Sequence, residues 1–160
     1  VEVVEVDEYL NMLPADKTFD RILLIDVLEH FNPNQAAMLL SKLMDRLKKS
    51  GGIVVKVPNN GSPWGASYQY GDLTHKAAYN SFSLRQLGIK VGLNCQVFAH
   101  KTGNPRKQLL ENIFHSTIEL FLTERPEIWS ANIIGYFTEK PSILQENSIL
   151  QNDSATQEIK

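Results

Sequence analysis

The segment from Phe19 to Pro58, FDRILLIDVLEHFNPNQAAMLLSKLMDRLKKSGGIVVKVP, constrains the fold more than any other part of the chain. Ile22 to Ile25 is a continuous apolar run, the pattern of a strand buried on both faces in a parallel sheet. Asn32-Pro33 pairs an N-cap residue with proline at the first helical position, a strong helix start. Ala36, Leu40, Leu43 and Leu47 then recur at spacings of three and four, with Ala37 and Met44 beside them, which predicts an amphipathic helix. Lys48 and Lys49 suit the negative end of its dipole, and Gly51-Gly52 is expected to stop it. Ile53 to Val57 reads as the next strand, closed by Pro58. Strand, helix, strand in this order makes a right-handed βαβ unit with parallel strands.

The flanks extend this pattern. VEVVEV at Val1–Val6 alternates like a strand already under way. It opens without Met, so the sequence reads as cut short at its start. A short helical or turn segment around Glu8 to Leu13 follows, and then a loop at Pro14, Asp16 and Lys17. Asn59 to Asn80 is a long stretch rich in Gly, Ser and Asn. A connection of that length in a compact domain is functional or disordered, and Trp64, Tyr68, Tyr70 and Tyr79 argue for function. Ser83 to Val91 predicts a short helix, Cys95 to Ala99 a strand, Arg106 to Thr123 a helix and residues 129–140 a last strand. Residues 1–140 thus read as one domain. Residues 141–160 are polar and read as a disordered tail.

Composition excludes several classes. A formal net charge of −2 argues against a general nucleic-acid or anionic-membrane binder. No apolar run is long enough to span a bilayer. A lone cysteine, Cys95, rules out an internal disulfide. It fits a reducing, cytoplasmic setting, and its ordinary role is a small core residue on a strand.

The chemistry gathers where the Ile22–Ile25 strand ends. Asp26, Glu29 and His30 follow it within five residues. In open α/β sheets the crevice beyond the carboxyl ends of the strands is where ligands bind. A second group, Asp72, Thr74 and His75, sits in the long segment after the next strand. Asp72 and His75 are metal-ligand types, but two ligands without a third make a weak metal signal.

Three motifs carry a family resemblance: FDRILLIDVLEHF, then LKKSGGIVVKVPN, then YGDLTHKAAYNSFSLRQL. In this order they resemble the class I S-adenosylmethionine-dependent methyltransferases. The third is similar to a bacterial group that acts on surface polysaccharides or related metabolites. The resemblance implies an α/β fold: a Rossmann-like, mostly parallel twisted sheet with helices on both faces. Val1 to Val6 would be the family's third strand. The first two strand–helix units, with the glycine-rich cofactor loop and the ribose-binding acid, are then lacking.

The same resemblance implies S-adenosyl-L-methionine as cofactor and methyl transfer to a small-molecule or saccharide acceptor, with O-methylation expected. An acid just after the third strand would hold the adenine amine. Asp7 and Glu5 both fit that place. Leu24, Ile25 and Asp26 would lie beside the sugar and methionine arm. On the acceptor side, His75, His30 and Asp72 are the candidates for catalysis, a near-neutral imidazole suiting a base. The structural alternatives are a dipole-paired Glu29, a packed His30 and a loop held by Asx-type bonds at Asp72. Tyr68, Tyr70 and Tyr79 could stack on a sugar or aromatic ring. His100 and His115 are expected to be structural. A non-catalytic methyltransferase-like module is the rival function, and a nicotinamide oxidoreductase is a weaker one.

Overall fold

A computed structural model describes residues 6–140. The expected strand at Val1–Val6 lies outside these residues except for Val6, which opens a helix instead, and the expected tail lies wholly outside. The elements are α1 (Val6–Met12), β1 (Phe19–Ile25), a 3-10 turn (Leu28–His30), α2 (Pro33–Met44), β2 (Leu47–Pro58), α3 (Ala66–Tyr70), α4 (Ser81–Lys90), β3 (Leu93–Ala99), α5 (Pro105–Glu119) and β4 (Asn132–Glu139).

The four strands form one sheet in the order β1-β2-β4-β3. β1 and β2 are parallel, with Leu24 opposite Val55. β4 runs antiparallel to both β2 and β3. Three strands therefore point one way, and the reversed β4 lies between two of them. The carboxyl ends of β1, β2 and β3 share one edge with the start of β4, so every loop at that edge converges on the same crevice.

α2 begins where the sequence requires. The Asn32 side chain accepts from Asn34 N and Gln35 N, Gln35 returns a bond to Asn32 N, and Pro33 takes the first helical position. Its end is a correction. The helix stops at Met44, and Lys48, Lys49 and Gly51-Gly52 belong to β2. The register shift between Phe19 and Arg21 accommodates the longer strand. Lys48 pairs with Asp20 across it at 2.9 Å rather than with a helix end. The Tyr136 ring lies across Gly52: a Cβ there would fall 2.4 Å from Cε2, so a larger residue would have to displace the ring.

Alternation along the strands separates two faces. Ile53, Val55, Val57, Ile133 and Phe137 are fully buried, and they pack with Leu24, Leu28, Leu40 and Leu84. α2 and α4 touch one another and cover this face. Helices were expected on both faces. Among the described residues the opposite face is largely open, with Leu23, Ile25 and Phe98 exposed. The all-apolar β1 run thus signalled a two-sided burial that only one side realises. Cys95 lies on β3, and burial pushes its thiol up to about 12, as suits an unreactive packing residue. Phe137 is the largest fully buried side chain. Phe137→Ala should cost about 3–5 kcal/mol of stability, checked by urea unfolding followed by circular dichroism. A loss below about 1 kcal/mol would mean that this core collapses around the gap.

Candidate functional site

At the carboxyl end of β1 the chain leaves the sheet through Asp26, whose φ of +53° is left-handed. Asp is among the few non-glycine residues that tolerate this region, and such strain collects at functional sites. Asp26 N donates to Lys56 O at 3.0 Å, and Lys56 Nζ meets the Asp26 carboxylate at 2.6 Å. The turn delivers Leu28 into the core and sets Glu29 and His30 beside the 72–79 loop. Lys76 N and Ala77 N both donate to Glu29 O, at 2.8 and 3.1 Å, and tie that loop beneath the turn.

The loop brings the second group to the first. The Asp72 carboxylate accepts from Thr74 N at 2.8 Å and from Thr74 Oγ1 at 2.6 Å. These bonds hold its carboxyl below the usual range, with the nearby histidines adding to the effect. Thr74 Oγ1 also lies 2.9 Å from His30 Nδ1. The single Thr74 proton is committed to Asp72, so His30 Nδ1 is the donor in that contact. His75 Nδ1 lies 2.9 Å from Gln69 O, which can only accept. Both rings therefore carry a proton on Nδ1, and in the neutral form of each ring the lone pair is on Nε2. The rings meet edge to face, with centroids 4.8 Å apart. His75 Nε2 is 3.9 Å from Glu29 Oε1 and 3.9 Å from Asp72 Oδ2.

Glu29 is the unexpected member. It is fully buried, and neither carboxylate oxygen has a hydrogen-bond partner. It does not cap α2, since Asn32 does that. Burial pushes its carboxyl above the usual range, and the histidines pull the other way. Tyr79 belongs to the same buried region: burial and the Glu29 charge push its hydroxyl up to about 12. Tyr79 is only 4% exposed, so it packs in the core and is not free to stack on an acceptor, whereas Tyr68 and Tyr70 are exposed. Of the other candidates, Leu24 turns its side chain into the core, and Ile25 is exposed beside Asp26. Asp7 lies in the first turn of α1. Glu5 lies outside the described residues.

A cavity of about 680 Å³ opens at the same sheet edge, lined among others by Trp64, Tyr68, His100, His115 and Trp129. His115 stacks on Trp129 with centroids 4.5 Å apart and planes 9° apart. Trp64 Nε1 donates to His115 Nε2 at 3.1 Å. Trp129 Nε1 donates to Glu119 at 2.7 Å. The sequence placed His115 on a helix but offered nothing to join it to Trp64, 51 residues away, or to Trp129 beyond the helix end. Trp129 also precedes β4 rather than lying in it.

The cavity wall includes Glu127, which holds Arg85 and accepts from Ser81 Oγ at 2.6 Å. These bonds, Arg85 first, pull its carboxyl down to about 2 from a reference of 4.5. A depressed carboxylate stabilises the fold above its unfolded value, and that contribution fades as pH falls through its folded value. Wild-type stability should therefore drop between pH 4.5 and about 2, and Glu127→Gln should flatten that part of the curve. Parallel urea midpoints for the two proteins would argue against this pairing.

No protein-family model and no curated protein matches the sequence. Solved structures do match. A methyltransferase from Archaeoglobus fulgidus, described as S-adenosylmethionine-dependent, superposes with a TM-score of 0.61 at 22% identity, over 85% of this chain and 66% of that one. This chain has the fold of the S-adenosylmethionine-dependent methyltransferases. An O-methyltransferase from neocarzinostatin biosynthesis, in complex with S-adenosyl-L-homocysteine and 1,4-dihydroxy-2-naphthoic acid, gives 0.51 at 16% identity, over 79% of this chain and 31% of that one. A pericyclic reaction enzyme gives 0.52 at 15% identity, over 82% and 29%. The chain thus spans 66% of the first neighbour's length and about a third of the other two. The methyltransferase fold sets the frame, and the residues at the sheet edge carry whatever chemistry it performs.

Proposed function

We propose that this chain belongs to an S-adenosylmethionine-dependent methyltransferase that methylates a hydroxyl of a small aromatic or saccharide acceptor. The observation that carries the reading is the convergence of His30, His75 and Asp72 at the carboxyl end of β1, with both imidazoles held in the tautomer that leaves Nε2 free. A sulfonium methyl is already activated, so the protein has to align the acceptor and take its proton. His75 is the base. Asp72 acts through Thr74 to orient His30.

The cofactor lies across the ends of α1 and β1. Asp7 or Glu5 holds the adenine amine, and Ile25 and Asp26 flank the sugar and methionine arm. Leu24 contributes only backbone, since its side chain is in the core. The aromatic cavity, whose lining does not include His30, Asp72 or His75, offers an acceptor ring flat surfaces and polar edges beside that group at the same sheet edge. The dihydroxynaphthoic acid bound by one neighbour supports an aromatic hydroxyl acceptor.

Calorimetry with S-adenosylhomocysteine and transfer of a tritiated methyl group to a panel of phenols, catechols and monosaccharides, both carried out on the whole protein rather than on these 160 residues, which are expected to be inactive alone, test the proposal. Binding together with a labelled methyl ether is expected. No binding would overturn the reading. Binding without transfer would favour the rival, a non-catalytic methyltransferase-like module.

A further inference from the structure

We propose that Glu29, His30 and His75 form a binding site for a divalent transition-metal cation. Each residue offers one ligand atom, and the three atoms lie within 4.8 Å of one another. Two imidazoles and one carboxylate match the donor set of a catalytic zinc centre, which leaves further positions for water or substrate.

Three independent features point to a cation. The first is Glu29: both oxygens are buried and neither has a partner, although Glu is among the residues least often buried unpaired. His75 Nε2, 3.9 Å from Glu29 Oε1, is too far to donate a hydrogen bond to it, so the buried carboxylate is costly, and a bound cation removes that cost. The second is the tautomers. Histidines that bind metals usually donate the other ring N–H to a carbonyl or carboxylate. His75 does so to Gln69 O directly, and His30 does so to Asp72 through Thr74. The third is the surroundings. Lys56, the nearby cation across the strand pair, is paired with Asp26 instead. Metal–ligand bonds of about 2.0–2.2 Å put donor atoms roughly 3.3 Å apart in a tetrahedral site. The 3.9 Å between His75 Nε2 and Glu29 Oε1 and the 4.8 Å limit on the three donor atoms are wider than that, so a bound cation would draw the three side chains together.

The site rests on donor chemistry and stands whether or not the chain transfers methyl groups. If it does, a cation here would engage His75 Nε2 and would lower the pKa of a coordinated acceptor hydroxyl, so the base role assigned to His75 is that of the metal-free chain.

The test is titration of the metal-free chain with Zn²⁺, followed by calorimetry and by ¹⁵N chemical shifts of the histidine side chains. Wild type should bind one Zn²⁺, and the Nε2 signals of His30 and His75 should move together. Glu29→Gln keeps the shape and removes an unpaired buried charge, so it should fold at least as well yet lose Zn²⁺ affinity by more than about 100-fold. Thr74→Val should weaken binding by about 10–100-fold through release of the His30 ring. Undiminished Zn²⁺ binding by Glu29→Gln, or no Zn²⁺ binding by wild type, would overturn the site. Equal affinity for Mg²⁺, which prefers oxygen ligands, would overturn the nitrogen-donor assignment. No methyl acceptor enters this experiment, so its failure leaves the proposed reaction untouched, and absence of methyl transfer leaves the metal site standing.

Discussion

His75→Ala should lower the rate of methyl transfer by about 10²–10⁴-fold, the usual loss for a positioned base, and leave S-adenosylhomocysteine affinity within about threefold. His75 is the ring whose free Nε2 faces both Glu29 and Asp72. Its other nitrogen is committed to Gln69 O. A purely structural His75 would behave differently. Loss of that single bond costs about 0.5–1.5 kcal/mol and would appear in the melting temperature rather than in turnover. Single-turnover rates and cofactor titrations on the same variant separate the two. His30→Ala is the comparison, since its ring is held by a side chain rather than by backbone. Suppose His30→Ala abolishes turnover at unchanged stability while His75→Ala stays within about threefold, less than 1 kcal/mol in barrier. The base would then be His30, and the roles assigned to the two rings would exchange.

Asn59→Ala should remove about 3–5 kcal/mol of stability, a large part of the 5–15 kcal/mol available to a domain. Asn59 is 2% exposed and follows β2 directly. Its Nδ2 donates to Ile128 O at 2.8 Å and to Ser130 O at 2.9 Å, and its Oδ1 accepts from Gly61 N at 3.0 Å. One side chain thus fastens the start of the long loop to the segment entering β4. Truncation strands three backbone groups in a partly buried place, and each costs about 1–3 kcal/mol if water cannot reach it. Gly65 sits against the same point: a Cβ there would fall 1.9 Å from Asn59 O, so Gly65→Ala should disrupt this junction as well. Urea unfolding checks both variants. An Asn59→Ala loss under about 1 kcal/mol would show that water replaces the side chain without difficulty. The double variant should fall short of the sum, because both changes act on one contact.

Much of the frame was legible in the residues. The apolar run before Asp26, the Asn32-Pro33 start and the strand ending at Pro58 gave the βαβ unit, because strand burial and helix capping are local and leave local patterns. The end of α2 was misread because Lys48, Lys49 and Gly51-Gly52 imitate a helix terminus. Their actual role depends on Asp20 and on the Tyr136 ring, 28 and 84 residues away from Lys48 and Gly52 respectively. Openness of the sheet face that carries Leu23 and Ile25 was equally hidden, since an apolar run reports a preference for burial and not the presence of a cover.

The site divides along the same line. Sequence by itself determined that Asp26, Glu29 and His30 stand at a strand end and that Asp72, Thr74 and His75 share a loop. Short-range chemistry even fixed the Asp72–Thr74 turn. Only the tertiary structure decided that the two groups meet, through His30 and Thr74 across 44 residues. It also decided that Glu29 is buried without a hydrogen-bond partner, that His115 stacks on Trp129, and that Trp64 bonds to the same ring. These depend on which backbone carbonyls accept and on what the folded chain shields from water. Hydrogen bonding and desolvation between distant segments are set by the packing of the sheet edge, and they leave no periodicity in the chain to read.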